Sequence, residues 1–346
     1  MMAGTPFKWA KFRGGLELVF VGYWLDYTKF EVGISEKRKN WLLAWLNDLL
    51  KQKRVWTRSF IEGLGRMGFS AQMLAWLKPF LAPLYAWSSA TPPGAVLRLP
   101  ALIEVTLQFI TDELAAGCHV TSCEKPVVND SELFRADAKC EGNRVVLGGW
   151  EVKPGMEPSQ SRWFILELSP AETPYLFKVI RGKVESSWAS TSAEVLGSWV
   201  GLQLFGRPSN DGVGPRKTVM RICGGTDNQA AQFLSIKGGS TKLPLTPIMM
   251  QLASTLRGMQ LELRLKWRPR ELNVEADALA NLGTSLFNEA LQVKVEWSQL
   301  GHKVLDKLAP LLPGFAEVMK LKRSGNKSTV PAMTKRFKLD TMSVWQ

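Results

Sequence analysis

From residue 130 the chain changes rhythm, and that change restricts the fold more than any other feature. Three short apolar stretches, FRADAK (134–139), VVLGGWEV (145–152) and WFILELS (163–169), follow one another between turn-forming segments, with YLFKVI (175–180) after them. Strands in direct succession point to an antiparallel meander. The pattern then alternates: a helix over 191–205, a strand over 218–223, helical segments, a strand over 261–267 and a helix over 274–282. The order β-β-β-α-β-α-β-α predicts an α/β (α+β) domain with one mixed sheet flanked by helices.

The first third reads differently. Residues 16–34 predict two strands around a turn at Asp26-Tyr27-Thr28-Lys29. Ser35 then stands as an N-cap for a helix that lines up Leu42, Leu43, Leu46, Leu49 and Leu50 on one face, with Lys37, Lys39, Asp48 and Lys51 opposite. A second helix opens at Thr57. Its glycines at 63, 65 and 68 suggest close packing by a third helix over 71–87. A linker at 88–94 and a helix over 99–116 complete a small basic bundle. The expected divisions are 1–34 (strand remnant), 35–125 (helical region), 126–290 (mixed-sheet domain) and 291–346. The last would hold one amphipathic helix over 302–322 and a flexible basic tail.

Charge narrows the partner. The chain carries 44 Lys and Arg against 31 Asp and Glu, a net +13, and such a field favours a polyanion, most often nucleic acid. The excess is not confined to the tail, because Lys37, Arg38, Lys39, Lys51, Lys53 and Arg54 form a second basic region. Four cysteines without a regular framework suit a reducing intracellular compartment, without distinguishing nucleus from cytoplasm. Cys118, His119 and Cys123 lack the paired spacing of a zinc site. The N-terminus has no apolar signal core and no uncharged apolar run reaches about 18 residues, so no membrane partner is expected.

Four acids occupy comparable positions in the second domain: Asp137 in its first strand, Glu194 opening a helix, Asp227 ending a strand and Asp277 opening the last helix. Three of them have plain structural readings. Glu194 fits the third position of a capping box, Asp227 fits a helix cap, and Asp277 fits a helix-start charge. Asp137, in an apolar strand, needs a partner for its charge. The competing reading is one metal pocket.

The ordered set, with Gly148-Gly149-Trp150, Thr226-Asp227-Asn228 and residues 273–280 (NVEADALA), resembles the ribonuclease H type I domain. The first third, with GYWLDYTKFEVGISEKRKNW and the helices after it, resembles the palm end and thumb of retroelement reverse transcriptases of the DIRS type. The resemblance spans residues 16–290. It implies two Mg2+ (or Mn2+) ions on Asp137, Glu194, Asp227 and Asp277, and hydrolysis of the RNA strand of RNA–DNA hybrids. It also implies nucleic-acid contacts at Lys37, Arg38, Lys39, Asn228 and Asn273. The loop 267–273 lacks the histidine that many such enzymes carry, which bears on turnover rather than on the reaction. With no Asp-Asp pair in the chain, polymerase chemistry is not expected from it. The alternatives are a non-catalytic nucleic-acid-binding remnant, or a subunit whose polymerase core is a separate chain.

Overall fold

The computed structural model describes residues 14–92, 94–122, 127–206 and 219–323. Residues 1–13, Cys123 and the basic tail from 324 lie outside them. Strands β1 (Glu17–Phe20) and β2 (Tyr23–Asp26) are joined by Val21-Gly22, both at positive φ (48° and 84°), the geometry that tight hairpins require. A third strand, β3 (Glu31–Gly33), pairs with β2. The expectation of two strands is therefore corrected. The Asp26 turn is the second one, and its carboxylate accepts from the Thr28 and Lys29 amides at 2.9 and 3.0 Å.

Helix α1 (Glu36–Gln52) starts at Ser35, whose hydroxyl accepts from the Arg38 amide, and it buries Leu42, Trp45, Leu46 and Leu49. After it come β4 (Arg54–Trp56), α2 (Thr57–Ser70), α3 (Lys78–Ser89), β5 (Val96–Arg98), α4 (Ala101–Ala115) and β6 (Val120–Ser122). β4 pairs with β5, and β6 returns to β3, giving the sheet order β1-β2-β3-β6. The third helix begins at Lys78 instead of 71, with Pro79 in its first turn, where a missing N–H costs nothing. Gly63 lies against the Trp45 ring and Gly68 under the Tyr85 hydroxyl, whereas Gly65 faces open space. Only Gly68 therefore meets the third helix as expected; Gly63 makes room for α1 instead.

The second unit is mixed α/β. β7 (Val127–Glu141), β8 (Arg144–Glu151) and β9 (Trp163–Leu168) form the meander. β10 (Lys178–Ile180) and β11 (Lys183–Glu185) form a separate hairpin, so the 175–180 stretch does not join the main sheet. Next come α5 (Ser190–Phe205), β12 (Met220–Thr226), α6 (Gln229–Lys237), α7 (Leu245–Gly258), β13 (Leu261–Trp267) and α8 (Val274–Ala280). β12 runs parallel to both β7 and β13, and the five-stranded order is β13-β12-β7-β8-β9. β8 is buried over almost its whole length, as expected of a strand covered on both faces. On α5 the run from Ser192 to Leu202 is buried all round, so this helix lies in the core and not at its edge.

The segment after residue 290 differs from the expected single helix and tail. It forms α9 (Lys303–Leu308) and α10 (Leu312–Arg323), broken at Ala309–Leu311 where Pro310 stands. Trp297, Leu300 and Leu305 enter the core of the sheet unit, while Val304, Leu308, Leu312 and Phe315 enter that of the helical unit. This strap joins the two cores.

Candidate metal centre

Asp137 lies in the C-terminal half of β7, opposite Gly148 of β8, and is 6% exposed. Asp227 follows the last residue of β12. The neighbouring parallel strand fixes it there: the Arg268 amide donates to Thr226 O (2.9 Å) and the Trp267 indole N–H to Asp227 O (2.9 Å). Glu194 stands on α5 with 8% exposure. One carboxylate oxygen from each of Asp137, Glu194 and Asp227 lies within 4.8 Å of the others. This buried acidic triad can hold a metal ion.

The plain readings of these acids can now be weighed. The cap of α6 is Asn228, whose side-chain oxygen accepts from the Ala231 amide at 3.1 Å, so Asp227 is not the cap. α5 begins at Ser190 with no side-chain cap, and Glu194 faces other carboxylates instead of completing a capping box. Asp277 stands in the first turn of α8 but outside the triad. Its carboxylate accepts from Arg270 Nη2 at 2.5 Å and from Asn281 Nδ2 at 3.2 Å.

Electrostatics mark the pocket as strained without a cation. Burial first, then the Asp137 charge and contact with its carboxyl, holds the Glu194 carboxyl well above its ordinary value. Asp227 is raised by burial and then by Asp137, against the pull of Arg270. The Cys140 thiol beside them is pushed up to about 12, by burial and then by Glu194 and Asp137. Like charges this close favour the protonated form unless a cation intervenes. Glu194 Oε2 is buried with no hydrogen-bond partner among the described residues, an unmet acceptor of the kind a metal satisfies. An all-oxygen donor set suits hard cations such as Mg2+ or Mn2+.

Other sequence-derived residues fall elsewhere. Arg38 does not share an exposed basic face with its neighbours. Its side chain is buried, donates to Gly22 O and lies over the Phe69 ring at 5.3 Å. Lys37 is exposed, and Lys39 pairs with Glu36 at 2.6 Å. Asn273 is fully buried, and neither polar atom of its side chain has a partner among the described residues. It is inside the protein, not on a contact surface. Asn228 has its side-chain oxygen committed to the α6 cap.

The residue that sequence reasoning missed is Arg270. It occupies the loop noted for lacking a histidine, bonds Asp277, and lies close enough for Asp137 and Asp227 to favour its charge. A basic residue between the last strand and the acid-bearing helix was the available signal. Nearby, Arg268 and Arg135 both bond the buried Glu132, at 2.7 and 3.0 Å, and Arg135 reaches Leu272 O at 3.3 Å, fixing this loop. No protein-family model and no curated protein matches the chain, so the geometry carries the functional argument.

Proposed function

We propose that the mixed-sheet unit is a ribonuclease H-type endonuclease that hydrolyses the RNA strand of RNA–DNA hybrids, and that the helical unit helps to hold the duplex. The observation that carries this reading is the convergence of Asp137, Glu194 and Asp227, from three different elements, on one buried pocket. Two Mg2+ (or Mn2+) ions are the proposed complement, with Asp277 turning from Arg270 to complete the set. Divalent ions in such a pocket would lower the pKa of bound water and neutralise charge at the leaving oxygen. The protein's own part is to hold the carboxylates at fixed positions, to exclude bulk water with the α5 core, and to keep Arg270 near the scissile phosphate. Lys37, Lys51, Arg54 and Arg98, all exposed, are suited to phosphate contacts, which supply much of the affinity of such proteins.

The test is cleavage of a labelled RNA–DNA hybrid with and without Mg2+, comparing the wild type with Asp227→Asn. The variant is expected to keep or raise its melting temperature, because carboxylate repulsion is relieved, while cleavage falls by orders of magnitude. Binding without cleavage by the wild type, or full cleavage by the variant, overturns the assignment.

A further inference from the structure

The two units face each other across a cleft of about 720 Å3, walled by α3 on one side and by the start of α5, α6 and the α6–α7 loop on the other. Its lining includes Lys78, Lys237 and Lys242 and not one acidic residue. All three lysines are exposed, and none takes part in an ion pair among the described residues. Aromatic side chains stand among them. Phe233 is 60% and Tyr85 43% exposed, and Lys237 Nζ lies 5.9 Å from the Phe233 centroid. Gly238 and Gly239 let the loop pass close to Lys78 and Pro79, bringing Lys78 and Lys242 to the same mouth.

The position of the cleft is informative. Ala230 lines it three residues after Asp227, and Thr191 lines it three residues before Glu194. Thr191 stands about 4.5 Å of helical rise before Glu194 on α5, and Ala230 lies in the first turn of α6, just after Asp227 and the Asn228 cap. A strand lying in the cleft therefore passes the starts of the two helices that adjoin Glu194 and Asp227.

The chemistry selects the occupant. Lysines without acids suit phosphates, and exposed rings suit bases. A duplex stacks its bases on one another and offers rings only its edges, whereas a single strand presents base faces. We propose that this cleft seats a single-stranded stretch of nucleic acid, with phosphates on Lys78, Lys237 and Lys242 and a base stacked on Phe233. That this stretch leads to or from the point of cutting rests on the nuclease reading; the seat itself does not.

The test is fluorescence anisotropy of the full chain in metal-free buffer. The probes are a blunt RNA–DNA hybrid and the same hybrid with a single-stranded DNA extension. The extension is expected to tighten binding by about tenfold or more, the range of one stacked base. Phe233→Ala should abolish that gain, Phe233→Trp should keep it, and both should bind the blunt hybrid as the wild type does. The triple change Lys78→Ala, Lys237→Ala and Lys242→Ala should flatten the salt dependence for the extended probe by a slope of roughly 2, at about 0.7 per phosphate on single strands. Equal affinity of the wild type for blunt and extended hybrids overturns the seat, as does a Phe233→Ala variant that keeps the gain. A wild type that gains from the extension but cuts no hybrid in Mg2+ upholds the seat and removes the nuclease reading. Cutting without any gain does the reverse.

Discussion

At the scale of single residues, the acidic pocket makes the metal-free protein sensitive to pH in a direction its charges fix. The folded state holds a proton on Glu194 above the ordinary glutamate value of 4.5, where the unfolded chain has released it. A state that binds more protons is favoured by acid. The stability contribution is therefore complete below about pH 4.5 and is lost as pH rises towards the raised value. Melting temperatures in the presence of a chelator should fall with rising pH through this window. Glu194→Gln should flatten that fall, since the amide is neutral throughout. Added Mg2+ should stabilise the wild type more at high pH than at low. A variant with an unchanged slope would place the proton on another group.

Helix α8 shows how one element depends on another's glycine. Seven residues are too few to hold a helix alone, and α8 is kept by burying Ala276 and Leu279 against Trp150, Trp163 and Phe287. It reaches them because Gly148 has no side chain. A Cβ there would stand 2.7 Å from Leu279 Cβ and closer still to the α8 backbone. Gly148→Val should push α8 outward, cost about 1–3 kcal/mol, and displace Asp277 and Arg270 with it. Gly65→Ala, in open space on α2, is the matched control and should be neutral or mildly stabilising. Differential scanning calorimetry of both variants checks the argument. Equal melting temperatures would show that α8 is seated by something else.

For the whole molecule, the strap through α9 and α10 decides whether two units behave as one. Gln251 of α7 clamps it: its side-chain oxygen accepts from the Val304 and Leu305 amides at 2.9 and 3.3 Å, and its amide donates to Gly301 O at 2.9 Å. Gln251 is 3% exposed, so no water replaces these bonds when the amide is removed. Gln251→Leu should destabilise by about 1–3 kcal/mol and open the strap to protease between residues 291 and 303. An unchanged melting temperature and digestion pattern would mean that apolar contacts alone hold the strap.

Periodicity and turn chemistry in the sequence marked the long elements, α1, α2, the β7–β9 meander, α5, β12, β13 and α8, and the order of the four acids along them, but not the short strands β4 to β6 or the break at Pro310. They did so because both are local: a period of two or near 3.6 marks an apolar face, and Ser35 or Asn228 can cap only the helix beside it. Local patterns do not say which element an apolar face meets. The pairing of β6 with β3, the separate β10–β11 hairpin and the strap across both cores came from contacts between residues far apart in the chain. The same holds at the pocket. Four acids in order were legible, but three of them converge while the fourth turns to Arg270, because β7, β12 and α5 meet where α8 only approaches. Arg38 stands in a basic run, yet its guanidinium is buried against Gly22 and Phe69. Charge in a sequence fixes what a side chain can bind, and packing fixes whether it reaches the surface to do so.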